Sequence, residues 1–272
     1  MTRAPGCFGW QRSCWSDGTC SVDTWCGSRG MALEATTRVR LLALDTSGAT
    51  GHVALAEGMQ IQAERRLDPG RRHARDLAPT VNELLQQCGW LPGTVDAVVI
   101  SAGPGSYTGL RVGFISAMTF AYATGCAFLA VPTFQVIAWA VPVAEVEIVE
   151  DAQQERIYTQ LYRRMTEQDP VALSPLRIVT LEEWLRTRAP VPVTGPGLRL
   201  YRPKLPASVT ILDQSYWDPS IGALVALGYR RYCRGERDDL WRAEPIYGRP
   251  SDAEEKWARR QTGQAQPRRP EA

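Results

Sequence analysis

The stretch Gly103-Pro104-Gly105-Ser106-Tyr107-Thr108-Gly109 decides the fold of this chain. It follows the apolar run 95–101, which has the length of a buried strand, and precedes the apolar run 110–121, which predicts a helix buried on several sides. A glycine-rich turn at this point can bring backbone amides close to an anion at the helix N-terminus. The same turn also suits a tight connection that only packs strand against helix, and the residues alone leave both interpretations open.

A second candidate element lies upstream, where the apolar run 39–44 ends in Asp45-Thr46-Ser47-Gly48. Such a turn can present a carboxylate and backbone amides to a phosphate, although turn chemistry alone favours Asp and Ser side chains that bond their own backbone. Further strands are predicted at 52–57, 59–65 and 127–131, and helices at 77–88 and 133–140. The predicted order of the first lobe is therefore βββαβαβα.

The second half of the chain repeats this order less clearly. Strand candidates lie at 146–149, 156–162, 176–179, 191–194 and 209–212, a capping box at Thr180 opens one helix, and Asp218-Pro219 opens another. We therefore expect two α/β lobes, at 38–142 and 143–250. Residues 1–37 are interpreted as disordered or as the product of a wrongly assigned start codon, and residues 251–272 as a frayed or disordered tail.

Charge and composition narrow the classes of function. With 31 Lys and Arg against 29 Asp and Glu, the chain lacks the charge excess of an autonomous nucleic-acid binder. No apolar run approaches the ~20 residues of a membrane helix, and no signal peptide is evident, so we expect a cytoplasmic protein. The early cysteines lack a C-x₂-C pair and a nearby histidine, which argues against zinc; they are Cys7, Cys14, Cys20 and Cys26.

Several motifs taken together carry a family resemblance. They are residues 42–47, 72–79 and 103–113, with weaker matches in Glu150-Asp151-Ala152 and in 245–250. This set, which spans roughly residues 38–255, resembles the TsaB family, once called YeaZ. The resemblance implies an α/β fold of the ASKHA type (actin-like ATPase, RNase H-like), with two βββαβαβα-type lobes of which the second is degenerate.

The resemblance also implies a non-catalytic role in tRNA modification. TsaB-like proteins pair with a related catalytic subunit, TsaD, and with the ATPase TsaE, and the complex transfers a threonylcarbamoyl group from its adenylate to N6 of adenosine 37 in tRNA. We therefore expect a TsaD-like partner, a TsaE-like ATPase and tRNA contact through the complex; a homodimer of the free chain stays open. An ASKHA enzyme that hydrolyses nucleotide or transfers phosphoryl groups is the alternative, and a metal-dependent hydrolase is less favoured.

Catalysis by this chain alone is not expected. The catalytic relatives bind a metal through two histidines spaced four apart on a helix, whereas His73 is followed four residues later by Leu77. No catalytic or metal-binding residue is therefore assigned, and no tightly bound cofactor is expected, although the complex could use ATP or ADP. The chain also departs from the family at Tyr107, where phenylalanine is usual, and at Gln153-Gln154, where a basic residue is common.

Two candidate sites follow from the resemblance. The nucleotide or phosphate loop comprises Asp45, Thr46, Ser47, Gly103, Gly105, Ser106, Thr108 and Gly109. The partner interface comprises His73, Leu77, Val81, Leu84, Leu85, Leu110, Phe114 and Met118, which belong to the two helices that pack against the partner in the family.

Overall fold

The computed structural model describes residues 39–67, 73–165 and 168–248, without the side chains of His73 and Ala74. The predicted N-terminal extension with its four cysteines and the predicted tail 251–272 lie outside the described residues. Within the described ranges, no helix is both long and apolar enough to cross a membrane.

The first lobe has the predicted order of elements. It consists of β1 (Arg40–Asp45), β2 (His52–Glu57), β3 (Gln60–Arg66), α1 (His73–Gln87), β4 (Ala97–Ser101), α2 (Tyr107–Thr124), β5 (Ala127–Val131) and α3 (Thr133–Ala140). A short 3-10 helix at Pro92–Thr94 links α1 to β4. The prediction βββαβαβα is therefore confirmed for this lobe.

The first sheet has the strand order β3-β2-β1-β4-β5. β1 pairs antiparallel with β2 and parallel with β4, which in turn pairs parallel with β5. Side chains of β1 alternate between the two faces, so Leu42 packs in the core beneath α1 and α2 while Leu41 packs in the core on the opposite face. Because both faces of the sheet are buried, the sequences of its central strands are continuously apolar.

The second lobe repeats this plan in reduced form. It consists of β6 (Glu145–Asp151), β7 (Arg156–Arg163), β8 (Val171–Ala172), β9 (Arg177–Thr180), α4 (Leu181–Thr187), β10 (Val193–Thr194) and α5 (Leu198–Tyr201), and α6 (Ile221–Cys233) follows it. β6 pairs antiparallel with β7 and parallel with β10, as β1 does with β2 and β4. The two similar sheets, the second degenerate, establish the expected ASKHA-type fold.

The strand predicted at 209–212 is wrong. Only one parallel bridge forms there, between Val193 and Ile211. The physical reason is the short length of β10. It ends after two residues, where Gly195 turns the chain away with a φ of +121°, so its edge is too short to pair with a further strand. The predicted cap at Thr180 is confirmed, because its hydroxyl accepts a hydrogen bond from the Glu183 N–H at 3.1 Å.

Helix α6 returns the chain to the first sheet. Its apolar side chains Ile221, Leu224 and Val225 pack in the core cluster of Leu41 and Ala43, opposite α1 and α2. Residues 236–248, which we name the C-terminal strap, then pass the edge of β5 and end beside the start of α2. Asp238 N–H donates to Phe128 O at 3.0 Å, and Ile246 N–H donates to Ala102 O at 2.7 Å. This packing differs from the sequence-based boundaries, which placed 143–250 in one lobe.

Candidate functional site

The turn after β1 is held by its own side chains. Asp45, Thr46 and Ser47 are all buried. Ser47 donates its hydroxyl and its backbone N–H to Asp45 Oδ1, at 2.7 and 3.0 Å. Burial raises the pKa of the Asp45 carboxyl, and the Ser47 hydrogen bonds only partly oppose this effect. The turn thus has the local hydrogen bonds that turn chemistry favours.

The glycine turn packs directly on this first turn. Ser106 N–H donates to Ser47 O at 2.7 Å, and the Ser106 hydroxyl caps α2 by accepting from Gly109 N–H at 3.2 Å. A Cβ atom on Gly105 would overlap Ser47 O, and one on Gly109 would overlap Thr46 O. These glycines therefore let the two turns touch, as a tight connection requires, and the use of the loop for a phosphate stays a prediction.

Gly103 anchors the glycine turn to α3. Its N–H donates to the Thr133 hydroxyl at 2.9 Å, and its carbonyl accepts from Thr133 N–H at 2.8 Å. Thr133 is the first residue of α3, and Pro132 occupies the cap position. Gly103 is therefore a structural residue of the turn.

The second lobe carries an equivalent turn after β6. Asp151 Oδ1 accepts from the Tyr201 hydroxyl at 2.8 Å and from Gln153 N–H at 2.9 Å. The loop after β10 presses on this turn, since a Cβ atom on Gly197 would lie 2.9 Å from Glu150 Cα. Three successive residues of the turn have positive φ, namely Gln153 (59°), Gln154 (52°) and Glu155 (60°).

The two turns face a common cleft with a cavity of about 940 Å³. Five of the eight predicted loop residues line it: Asp45, Ser47, Gly105, Ser106 and Thr108. The other three, Thr46, Gly103 and Gly109, lie behind this surface and are buried. The structure thus brings the predicted loop together but exposes only part of it to the cleft.

Charged side chains line both walls of the cleft. Burial raises the pKa of Glu150 to about 7, and the neighbouring Asp151 and Asp218 add to the shift. Arg199 binds both carboxylate oxygens of Asp218, with Nη1 to Oδ1 at 2.8 Å. On the first-lobe wall, burial lowers the pKa of His52, although its Nε2 lies 3.6 Å from Glu64 Oε2.

A set of aromatic and arginine side chains forms one side of the cleft, and we name it the aromatic–arginine wall: Tyr107, Arg111 and Tyr247. The rings of Tyr107 and Tyr247 lie 4.6 Å apart between centroids, and the Arg111 guanidinium lies 5.3 Å from the Tyr107 centroid. The Tyr158 hydroxyl of the second lobe donates to Tyr247 O at 2.6 Å. The C-terminal strap thereby joins both lobes at the cleft.

Comparison with known proteins identifies relatives that are similar to this chain. The family model of TsaD, tRNA N6-adenosine threonylcarbamoyltransferase, matches residues 68–188. The tRNA threonylcarbamoyladenosine biosynthesis protein TsaB of Bacillus subtilis is 28% identical over 230 residues, which cover 80% of this chain and 97% of the relative. YeaZ from Pseudomonas aeruginosa superposes with a TM-score of 0.67 at 27% identity, covering 77% and 99% of the two chains. Over most of its length the chain is similar to proteins of the TsaB (YeaZ) family.

A shorter match supports the same assignment. TsaB of Escherichia coli is 31% identical over 100 residues, which cover 37% of this chain and 43% of the relative. The match of the TsaD family model to residues 68–188 fits a related fold.

The structure corrects the predicted partner-facing side chains. Five of them are buried in its own core: Leu77, Leu84, Leu85, Leu110 and Phe114. They offer no surface to a partner, because apolar spacing marks the buried side of a helix first. Val81 and Met118 are half-buried against the same core. The side chain of His73 lies outside the described part of the chain, and the use of α1 and α2 as an interface stays a prediction.

Other apolar side chains on the outer side of α2 are exposed. Ile115 is 64% and Tyr122 69% exposed, and Trp241 of the C-terminal strap is 76% exposed. The rings of Tyr122 and Trp241 meet edge to face at 5.6 Å between centroids. We name these three residues the aromatic patch.

Sequence reasoning missed these exposed and cleft-lining residues for two reasons. The run 110–121 is apolar on most sides, so its pattern does not show that Ile115 faces outward. Tyr247 belongs to the motif at 245–250, and nothing local in the sequence indicates that the strap returns it to Tyr107. The one sequence signal for the aromatic–arginine wall is Tyr107, a position at which phenylalanine is usual in the family.

Proposed function

We propose that this chain is a non-catalytic subunit that binds a TsaD-like catalytic subunit for N6-threonylcarbamoylation of adenosine 37 in tRNA. Its similarity to TsaB proteins supports a role in the biosynthesis of threonylcarbamoyladenosine. The proposed assembly includes a TsaE-like ATPase, contacts tRNA through the complex and works in the cytoplasm. The observation that carries the partner role is the aromatic patch.

The aromatic patch has the composition of a protein interface. Ile115 and Tyr122 lie seven residues apart on α2 and therefore on the same side of the helix, with the half-buried Met118 between them. Exposed clusters of aromatic and aliphatic side chains are typical of interaction surfaces, where they act as energetic anchors. Because Leu110 and Phe114 on the opposite side of α2 are buried, the patch is presented on a helix that is fixed in the core.

The sequence of α1 supports a non-catalytic role. Leu77 occupies the place of the second histidine of the catalytic relatives, and it is 1% exposed in the core beneath α1. A leucine supplies no metal ligand. The chemical step would therefore belong to the TsaD-like subunit.

Light scattering after size-exclusion chromatography with the TsaD-like protein of the same organism tests this proposal. The wild-type chain is expected to form a complex, and Ile115→Glu combined with Trp241→Ala is expected to weaken it about 30-fold or more, equivalent to about 2 kcal/mol. Leu200→Glu is the matched control. Like Ile115, Leu200 is an exposed aliphatic side chain, at 53%, but it lies on α5 of the second lobe.

Two results would contradict different parts of the proposal. If the wild-type chain forms no complex, the partner role is wrong. If the complex forms and the folded patch variant binds as tightly as the Leu200 control, the partner role stands and the aromatic patch is not its interface. Thermal unfolding of each variant verifies that it is folded.

A further inference from the structure

One segment of the second lobe concentrates positive charge. Residues 184–212 contain no Asp or Glu, but they contain five cationic residues: Arg186, Arg188, Arg199, Arg202 and Lys204. The whole chain has a formal net charge of only +2, so the rest of the chain is net acidic. This segment belongs to other elements than the aromatic patch, and the partner role does not use it.

Three of these five cations have no acidic partner. Arg188 donates to Val191 O at 2.7 Å, and Arg199 binds Asp218. The other three are exposed: Arg186, Arg202 and Lys204. Among the described residues no carboxylate oxygen lies within 4.0 Å of their charged nitrogens, and this includes Glu182, one turn before Arg186 on α4. We name these three residues the basic surface.

Several exposed arginines elsewhere are held by carboxylates. They are Arg65 with Glu83, Arg163 with Glu145, and Arg234 with Asp169. In such pairs the two charges largely cancel at a distance, and a new anion must compete with the carboxylate. The basic surface keeps its charge available for the anionic groups of a partner.

Buried aromatic residues fix the elements that carry the basic surface. Trp184 of α4 is buried, and its indole N–H donates to Glu147 Oε1 at 2.9 Å. Tyr201, which precedes the 3-10 helix Arg202–Lys204, is buried, and its hydroxyl donates to Asp151 Oδ1 at 2.8 Å. Trp184 and Tyr201 belong to one core cluster, so the three cations project from elements that cover the same core.

We propose that the basic surface binds the phosphate backbone of RNA, namely of the tRNA that is modified in the proposed reaction. This inference rests on the proposed function, from which it takes tRNA as the partner. Arginine and lysine side chains bind phosphate oxygens, and such contacts position a nucleic acid without reading its sequence. The basic surface thus adds a direct tRNA contact on this chain to those of the catalytic subunit.

Filter binding of unmodified tRNA tests this inference on the complex of the full-length chain with the TsaD-like protein. The triple variant Arg186→Gln, Arg202→Gln, Lys204→Gln is expected to weaken tRNA binding about tenfold or more at low salt. It is also expected to reduce the slope of log affinity against log salt concentration by about 2–3, because each lost phosphate contact removes about one unit.

A second triple variant removes the same charge from other elements: Arg65→Gln, Arg163→Gln, Arg237→Gln. These arginines are also exposed, but the first two pair with carboxylates and Arg237 lies over the Tyr232 ring at 3.9 Å. This control is expected to change tRNA affinity less than about twofold, because the long-range effect of net charge is screened by salt. Thermal unfolding verifies that both variants are folded.

Two outcomes would overturn the inference. The first is equal tRNA affinity and equal salt slope of the two triple variants. The second is unchanged tRNA binding by the basic-surface variant together with lost binding to vesicles that contain phosphatidylglycerol or to polyglutamate, which would assign the surface to a membrane or to an acidic protein.

Failure of the proposed function gives a different result. If no complex forms with the TsaD-like protein, the proposed function is wrong, and the same comparison of variants on the full-length chain alone decides the inference. If the complex forms and only the basic-surface variant leaves tRNA affinity unchanged, the inference is wrong and the proposed function stands.

Discussion

The turn after β1 and the turn after β6 occupy equivalent places in the two lobes, yet they are held in different ways. In the first lobe, Gly105 and Gly109 let the loop before the 18-residue helix α2 contact the turn. In the second lobe, Gly197 makes the same approach before the four-residue helix α5. The second turn also contains three successive non-glycine residues with positive φ. The second turn thus has non-glycine residues in a backbone conformation that favours glycine.

The difference indicates where each lobe is intolerant of change. Besides its Asp45–Ser47 hydrogen bonds, the first turn depends on close backbone contact with Gly105 and Gly109, which an added methyl group would disrupt. The second turn depends on the side chain of Asp151, which accepts hydrogen bonds from Tyr201 and Gln153 and thereby holds a strained backbone. Three substitutions test this contrast.

The largest effect is expected for Gly109→Ala. The added methyl group would overlap Thr46 O, a backbone atom that cannot move without displacing β1, so we expect a loss of about 3 kcal/mol in the free energy of unfolding. Gly197→Ala should cost less, because its nearest contact would be 2.9 Å. Gly93→Ala is the control, since nothing lies within 4 Å of its Cβ position. Urea unfolding measures all three, and a Gly109 variant as stable as the Gly93 control would contradict the close-contact account.

An intermediate, pH-dependent effect is expected for Glu150→Gln. Because the pKa of Glu150 rises from its ordinary value of 4.5 to about 7 on folding, the folded chain binds this proton more tightly than the unfolded chain. Glu150 therefore contributes a loss of stability as the pH rises from about 4.5 to about 7. The glutamine variant should be more stable than wild type by roughly 1–2 kcal/mol at pH 8 and equally stable at pH 4.

Thermal unfolding across this pH range measures the effect of Glu150→Gln. Glu182→Gln is the control, because Glu182 is exposed on α4. The stability difference between Glu150→Gln and wild type could instead be the same at both ends of the pH range. In that case the buried carboxyl of the second turn is not its cause.

The smallest effect is expected for Glu155→Gly. This residue is exposed and has a φ of 60°, a conformation that glycine adopts without strain, so we expect a gain of about 0.5–1 kcal/mol relative to Glu155→Ala. Alanine is the matched control because it removes the same side chain but keeps the strain. Equal stability of the two variants in urea unfolding would mean that the second turn is not strained at this position.

The sequence predicts the order of elements well because local patterns set it. The alternation and length of apolar runs give every strand of the first sheet, and the capping box at Thr180 marks α4. The predicted strand at 209–212 fails because its pairing depends on the length of β10, which is set by the loop at Gly195 rather than by residues 209–212.

The sites are less predictable because they depend on distant contacts. Tyr158 and Tyr247 meet across 89 residues of sequence, and no local pattern indicates that the strap crosses the first lobe. The exposed side of α2 is equally hard to predict from the sequence. Phe114 and Ile115 are adjacent and both apolar, yet Phe114 is 2% and Ile115 64% exposed. The resemblance identifies the helices and the glycine turn, but the packing decides which side chains face solvent or the cleft.

The proposed role as a subunit is tested by a modification assay. The TsaD-like and TsaE-like proteins receive tRNA, ATP and threonylcarbamoyl-adenylate, with and without this chain, and the amount of threonylcarbamoyladenosine in the tRNA is measured. Mass spectrometry of the digested tRNA provides the readout. We expect that modification requires this chain and that the chain alone produces none. The double variant Ile115→Glu with Trp241→Ala is expected to lower the yield. Equal modification with and without the chain would contradict its role as a subunit of this reaction.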